Sequence, residues 1–205
     1  MILKDKVALI TGSGAGIGEA IAVAMAEAGA QVISVDIDGE AAQRTSDQAG
    51  EFQIKTKAIQ ADVGDLADID RMVQATVDDF GRLDVIVNNA GVTRRAYIMD
   101  LKEEDWDRIH RVNAKGVFFC LQRAAKQMIK QGGGCIINTA SIAGRGYAGT
   151  SNAAYAASKG AVIALTRTAS QQLGQHNINV NAICPGVTRT PLSDRNLEVR
   201  AKEQG

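Results

Sequence analysis

Short apolar runs alternate with longer stretches of helical periodicity along most of this 205-residue chain. The apolar runs are nearly continuous, which is typical of strands buried on both faces of a parallel sheet. Six strands are predicted, at 6–11, 31–36, 55–62, 83–91, 135–141 and 178–186. Helices are predicted at 17–29, through the forties, at 65–80, about 101–112, 113–131 and 153–175. This alternation, without a linker or a repeat, predicts one doubly wound α/β domain of three layers over residues 1–205.

Composition and charge exclude several classes of partner. The formal net charge is zero, with 23 basic and 23 acidic residues, and no Lys/Arg-rich run occurs. Neither nucleic acid nor an anionic membrane surface is therefore expected as a partner. The three cysteines are far apart and form no CxxC pair, so we expect reduced, mostly buried thiols and no metal site. The N-terminus has no signal-peptide core and no stretch approaches membrane-spanning length, so a cytoplasmic protein is expected.

A glycine-rich turn, "ITGSGAGIGEA" (10–20), follows the first predicted strand and opens the first predicted helix. Gly12 is expected to permit the tight turn. Gly16 and Gly18 are expected to let the backbone approach a pyrophosphate at the helix N-terminus, where free N–H groups attract anions. Because many strand–helix turns use glycine for geometry alone, the position directly after strand one is what favours nucleotide binding.

Asp36 ends the second predicted strand, as required of an acid that binds an adenosine ribose. Its carboxylate would accept hydrogen bonds from the ribose diol and repel a 2′-phosphate. No Arg or Lys lies in the glycine loop or directly after Asp36 to offset that repulsion. We therefore predict NAD(H) in preference to NADP(H). The alternative, an acid that only caps the next helix, suits Asp38 better than Asp36.

Each of the other candidate functional residues is ambiguous when it is considered alone. Tyr155 and Lys159 in "AAYAASKGAV" are four residues apart and share a helix face, as a surface pair also would. Ser141 could cap a turn, and Asn113 could simply start a helix. His110 and His176 lie in polar helical surroundings and are interpreted as surface residues. Arg94 and Arg95 could bind an acidic substrate, but the interpretation we favour is a solvated loop pair.

Six motifs taken together are specific, and they occur in this order: "TGSGAGIG" (11–18), "NNAG" (88–91), Asn113, Ser141, "YAASK" (155–159) and "PGVTRT" (185–190). From Lys6 to about Leu192 the chain resembles the classical short-chain dehydrogenase/reductase family. The resemblance implies a Rossmann fold and an NAD(P)-dependent oxidoreductase that interconverts a small-molecule secondary alcohol and a ketone. It also implies a homodimer or homotetramer built through the helices at 113–131 and 153–175.

The resemblance assigns roles to four catalytic residues. Tyr155 is the general acid/base, Lys159 lowers the pKa of Tyr155 and binds the nicotinamide ribose, Ser141 holds the substrate oxygen, and Asn113 holds a water in a proton relay. An ordinary tyrosine has a pKa of about 10, so a nearby ammonium and the positive nicotinamide ring would be needed to favour the phenolate. The resemblance also implies a set of cofactor-binding residues: Gly12, Gly16, Ile17, Gly18, Asp36, Asn89, Tyr155 and Lys159. It further implies that Asp62 and Val63 bracket the adenine, and that Val187 and Thr190 hydrogen-bond the nicotinamide carboxamide.

The chain departs from the family pattern in two places. The segment between Ser141 and Tyr155 is one residue longer than the commonest spacing, which Gly144, Gly146 and Gly149 can absorb. Beyond Leu192 the helix, seventh strand and tail of the family are missing, so we expect a shortened version of a longer protein with strand six at the sheet edge.

Two other functions fit the same motifs. One is a 3-oxoacyl-thioester (acyl carrier protein) reductase of fatty-acid synthesis, against which Asp36 counts because those reductases mostly use NADPH. The other is a non-catalytic NAD-binding scaffold, against which the complete Ser141, Tyr155 and Lys159 set counts.

Overall fold

The computed structural model describes residues 1–147 and 152–190. Six parallel strands form one sheet in the order β3-β2-β1-β4-β5-β6. The strands are β1 Val7–Thr11, β2 Gln31–Asp36, β3 Thr56–Gln60, β4 Val85–Asn88, β5 Gly134–Thr139 and β6 Ile178–Ile183. The predicted doubly wound Rossmann domain is confirmed, with β6 at the edge of the sheet among the described residues.

Helices cover both faces of this sheet. They are α1 Gly16–Glu27, α2 Gly39–Gly50, α3 Leu66–Phe80, α4 Glu103–His110, α5 Val117–Gln131 and α6 Ala153–Leu173. Small residues of α1 and α2 pack with β1, β2 and β4 in one core layer. Apolar residues of α3, α5 and α6 pack on the opposite face in the larger layer. Among the described residues, no helix is long and apolar enough to cross a bilayer.

Side-chain caps fix where several helices begin. Asp38 caps α2 by accepting a hydrogen bond from the backbone N–H of Ala41 at 3.1 Å, and Asp65 caps α3 through Ala67 at 2.8 Å. Asn152 caps α6 by accepting from the N–H of Tyr155 at 2.8 Å. Helix capping thus falls to Asp38, which leaves Asp36 for a different role.

The junction of α4 and α5 differs from the prediction of two helices meeting at 112 and 113. The chain runs on without a break through a π-helical segment, Arg111–Gly116. At the end of this segment a Cβ added to Gly116 would lie 2.6 Å from the carbonyl oxygen of Val63. Such π-turns are frequent at functional sites. The segment therefore packs directly against the loop that follows β3.

A ladder of buried polar side chains crosses the middle of the sheet. Asn88 of β4 donates to the Oδ1 of Asn138 on β5 at 2.8 Å, and Asn138 donates to the Oγ1 of Thr166 on α6 at 2.9 Å. Thr166 completes the series by donating to the carbonyl of Val162 at 2.7 Å. Asn88 and Asn138 are direct partners in the register of the two strands. The ladder thus joins β4, β5 and α6 just below the carboxyl edge of the sheet.

Candidate active site

The glycine loop between β1 and α1 packs backbone against backbone. Gly12 has a φ of +64°, and a Cβ there would lie 2.6 Å from the Cα of Ala90. A Cβ on Gly18 would lie 2.0 Å from the carbonyl oxygen of Gly12 and 2.5 Å from the Nδ2 of Asn89. Gly12 thus permits the tight turn, as predicted. The sequence analysis missed a second requirement at Gly18, whose missing side chain lets α1 pack against its own loop.

The N-terminus of α1 keeps its backbone donors available. Its cap residue, Ala15, makes no side-chain hydrogen bond, so Gly16, Ile17 and Gly18 present the first N–H groups of a twelve-residue helix. Asn89 supports the loop from below, with its Nδ2 donating to the carbonyls of Thr11 at 3.2 Å and Gly12 at 3.0 Å. Uncapped N–H groups beside a glycine turn fit a pyrophosphate.

Asp36 lies beside this loop and faces it with its carboxylate. One oxygen accepts from the N–H of Gly14 at 2.9 Å and the other from the N–H of Asp38 at 3.1 Å. A Cβ on Gly14 would lie 3.0 Å from the Cγ of Asp36. Gly14 was missed by the sequence analysis, although it is the second of the four glycines in the loop's own motif. Exposed Ile37 beside the acid, 64 % accessible, was missed as well.

The loop after β3 offers one carboxylate and a stretch of backbone. Asp62 is partly buried, while Val63 is only 7 % exposed and packs in the core. The side chain of Val63 therefore contributes to folding. Val187, which follows β6, is 91 % exposed, and Thr190 is the last described residue before 191–205.

Three of the predicted catalytic residues come together at the carboxyl edge of β5. Ser141 lies directly after β5 and hydrogen-bonds with Tyr155 on the first turn of α6. Lys159, one turn further along α6, has its Nζ 5.7 Å from the centre of the Tyr155 ring. The same Nζ donates to the carbonyl of Thr139 at 2.6 Å. A Cβ on Gly144 would lie 2.6 Å from the carbonyl carbon of Lys159, so the loop after Ser141 packs tightly on α6.

Comparison with known proteins identifies the family. A family model described as short chain dehydrogenase matches residues 6–201. The 3-oxoacyl-(acyl-carrier-protein) reductase of Thermotoga maritima is 41 % identical over 204 residues, which is 99 % of this chain and 82 % of that protein. The hydroxy(phenyl)methylsuccinyl-CoA dehydrogenase subunit BbsD of Thauera aromatica is 40 % identical over 204 residues, covering 100 % of this chain and 80 % of that one. A crystal structure of NAD⁺-bound xylitol dehydrogenase superposes with a TM-score of 0.93 at 37 % identity, over 98 % of this chain and 78 % of that one.

The chain belongs to the short-chain dehydrogenase family. It is an oxidoreductase of the class that acts on CH–OH groups, as the sequence predicted. The fold and a nicotinamide cofactor follow from membership in this family of dehydrogenases.

Burial governs the acid–base properties of the dehydrogenase site. Desolvation raises the pKa of Tyr155 above its ordinary value, and the hydrogen bond with Ser141 offsets this only in part. Desolvation also lowers the pKa of Lys159 to about 8. We expected Lys159 to lower the pKa of Tyr155. Its ammonium instead donates to the carbonyl of Thr139, and desolvation is the main cause of the raised pKa of Tyr155.

Asn113 is fully buried in the π-helical segment and holds the loop that follows β4. Its Oδ1 accepts from the N–H of Val92 at 2.8 Å, and its Nδ2 donates to the carbonyl of Val92 at 2.9 Å and to the Oγ of Ser158 at 3.2 Å. A Cβ on Gly91 would lie 3.4 Å from this Oδ1 and 3.5 Å from the Nζ of Lys159. The side chain of Asn113 thus positions the loop beside Lys159.

Asn152 also holds the loop that follows β4, and the sequence analysis missed it. While its Oδ1 caps α6 at Tyr155, its Nδ2 donates to the carbonyl of Arg94 and to the Oγ1 of Thr93. Arg94 is exposed, and it also pairs with Asp105 of α4, a contact that the sequence analysis missed. The signal was present in the sequence as an Asn three residues before Tyr155, which is the spacing of an N-cap.

Proposed function

We propose that this chain is an NAD(H)-dependent oxidoreductase that interconverts a secondary alcohol and a ketone, with Tyr155 as the general acid/base. The observation that carries the proposal is the grouping of Ser141, Tyr155 and Lys159 on one side of the carboxyl edge of the sheet. The uncapped α1 terminus and Asp36 lie along the same edge. A candidate proton-transfer site and a candidate nucleotide site therefore share one edge of the sheet, as hydride transfer requires.

Each residue has a defined part in the reaction. A bound nicotinamide would supply the hydride chemistry, and its positive charge when oxidised would favour the phenolate of Tyr155. Tyr155 takes the hydroxyl proton of the alcohol, or returns it to the carbonyl oxygen in the reverse direction. Ser141 donates a hydrogen bond to the same substrate oxygen and holds it in place. Lys159 holds the nicotinamide ribose hydroxyls and adds positive charge to the cleft.

The proposed preference for NAD(H) rests on Asp36. Both carboxylate oxygens accept backbone N–H bonds, and in the described part of the chain Asp36 enters no ion pair. A 2′-phosphate would face this uncompensated negative charge. Gly12, Gly16, Ile17, Gly18, Asp62, Val63, Asn89, Val187 and Thr190 are proposed to complete the cofactor site.

A fluorescence titration with NADH and NADPH tests this proposal. We expect NADH to bind more tightly, and we expect Asp36→Ala to lower the NADH-over-NADPH preference about tenfold or more, since a charged hydrogen bond contributes about 1.5–3 kcal/mol. Asp38→Ala is the matched control, because Asp38 caps α2 and should change stability rather than preference. Unchanged discrimination in Asp36→Ala would remove the argument for NAD(H).

A 3-oxoacyl-thioester reductase is the second candidate, and the similarity to the Thermotoga maritima reductase favours it. The two candidates predict different pairings of cofactor and substrate. Reduction of acetoacetyl thioesters with NADPH would support the second, while oxidation of secondary alcohols with NAD⁺ would support the first.

We also propose a homodimer or homotetramer formed through α5 and α6. A groove of about 290 Å³ between these helices is lined largely by apolar side chains, and Phe118 and Ile129 in it are each 41 % exposed. Isologous pairing of this face would cover them. A monomer by light scattering at micromolar concentration would contradict the assembly. A cytoplasmic location belongs to the proposal too, supported by the three free thiols.

A further inference from the structure

The carboxylate of Asp62 is held from two sides. Its Oδ1 accepts from the N–H of Gly64 at 2.8 Å, and its Oδ2 accepts from the Nη1 of Arg111 at 2.8 Å. The backbone N–H of Asp62 donates to the Oδ2 of Asp68 at 2.8 Å. Both the plane of the carboxylate and the backbone that carries it are therefore fixed, while the side chain stays 26 % exposed and accessible to a ligand.

Arg111 occupies a space that Gly64 leaves open. A Cβ on Gly64 would lie 2.3 Å from the Nη1 of Arg111 and 2.7 Å from its Cζ. The backbone of Gly64 is not in the left-handed region, so the position tolerates alanine as far as backbone conformation is concerned. What the absent side chain provides is room for the guanidinium beside Asp62.

The pair is not explained by folding stability. The side chain of Arg111 is 45 % exposed, and such surface pairs contribute little to the free energy of unfolding. Arg111 begins the π-helical segment that also carries Asn113, whose side chain bonds Val92 and Ser158 in the catalytic half. One short segment therefore holds both the Asp62 carboxylate and the loop beside Lys159.

We propose that Arg111 is a positioning residue that orients the Asp62 carboxylate to accept the 6-amino group of adenine. This inference rests on the proposed function, in which Asp62 borders the adenine. A fixed carboxylate accepts a hydrogen bond from an amino group and opposes a carbonyl at the same place, since two acceptors would then face each other. A carboxylate that can rotate discriminates less between an amino group and a carbonyl, because it can turn away from the carbonyl oxygen.

The experiment compares the binding of NADH with that of reduced nicotinamide hypoxanthine dinucleotide, in which a carbonyl replaces the 6-amino group. Fluorescence titration of the wild-type chain is expected to show NADH binding about tenfold more tightly, as for loss of one charged hydrogen bond. Arg111→Gln is expected to reduce this ratio to about threefold or less, while the Tm changes by no more than about 2 °C.

Two further variants make the test specific. Gly64→Ala should reduce the ratio in the same direction, because the new methyl group displaces the guanidinium. Arg123→Gln is the matched control: Arg123 pairs with Asp70 at 2.7 Å between α5 and α3, and its removal should leave the ratio unchanged.

Each outcome bears on a different claim. If the wild-type chain binds neither dinucleotide, the proposed function itself fails. If it binds NADH but does not distinguish the two dinucleotides, or if Arg111→Gln keeps the wild-type ratio, the role of Arg111 is overturned. An equal loss in Arg123→Gln would overturn it as well, since general surface charge would then explain the effect.

Discussion

The glycine loop after β1 and the turn after β5 lie at the same edge of the sheet, yet they are held together by different means. In the glycine loop, main chain packs on main chain, as where Gly18 meets the carbonyl of Gly12. Around the β5 turn and the neighbouring loop after β4, buried polar side chains such as Asn113, Asn152 and Lys159 hold the backbone by hydrogen bonds. The first region is thus sensitive mainly to added atoms, while the second is also sensitive to lost donors and acceptors.

The largest effect is expected from Tyr155→Phe, which removes the proton donor and acceptor but keeps the ring. Turnover should fall about 10³-fold, within the range for loss of a general acid/base, while NADH affinity changes less than about twofold. Steady-state kinetics and fluorescence titration of the same preparation measure the two quantities. Activity retained near the wild-type level would remove Tyr155 from its role and restore the scaffold as a candidate.

Gly18→Ala should have the next largest effect, and it acts on the backbone-packed region. The new Cβ would meet backbone 2.0 Å away, so α1 must move from the loop. We expect NADH affinity to fall about tenfold or more and the Tm to fall about 5 °C or more.

The matched control for that substitution is Gly174→Ala. A Cβ on Gly174 would meet nothing within 4 Å, and its backbone has the φ of an ordinary helical residue, −56°. Its Tm should stay at or slightly above that of the wild type. Tolerance of alanine at position 18 would show that close backbone packing is not what holds the loop.

The smallest effect is a pH dependence of stability caused by Lys159. Because burial lowers its pKa to about 8, the unfolded chain binds more protons than the folded chain between about pH 8 and 10. The free energy of unfolding of the wild type should therefore rise with pH relative to that of Lys159→Met over this window. The difference in Tm should change by a few degrees, measured by thermal melts at each pH.

The exposed Lys130→Met provides a control for the loss of a lysine. Its Tm difference from the wild type should stay level over the same pH range. If the Tm difference between the wild type and Lys159→Met were also independent of pH, the lowered pKa of a buried Lys159 would be contradicted.

The sheet and the order of its elements could be predicted because each strand is a short apolar run of its own. The predicted second strand, 31–36, has the observed bounds Gln31–Asp36. The fourth was predicted as a strand that runs into a loop within 83–91. The strand ends at Asn88, since the backbone of Asn89 turns to donate to the Oγ1 of Thr11 at 3.1 Å. The local sequence pattern predicts the apolar run, whereas a long-range hydrogen bond determines the residue at which the strand ends.

The same distinction separates the site residues that were predicted from those that were missed. Tyr155 and Lys159 are recognisable because their spacing is local to one helix. The Arg111–Asp62 pair joins residues 49 positions apart, and the bond from Asn152 to Arg94 spans 58, so no periodicity indicates either one. The role of Gly18 likewise depends on a carbonyl that only the folded loop brings near.

The ladder from Asn88 through Asn138 to Thr166 has a consequence for how the chain reaches this fold. The two strands that it joins, β4 and β5, are short and mostly apolar, so hydrophobic contact alone would allow more than one alignment. A shift of one residue between β4 and β5 would turn one amide to the opposite face and leave its partner buried without a bond, at about 1–3 kcal/mol per group. The ladder therefore specifies the register of β4 against β5, since only the native alignment lets all three side chains hydrogen-bond in series.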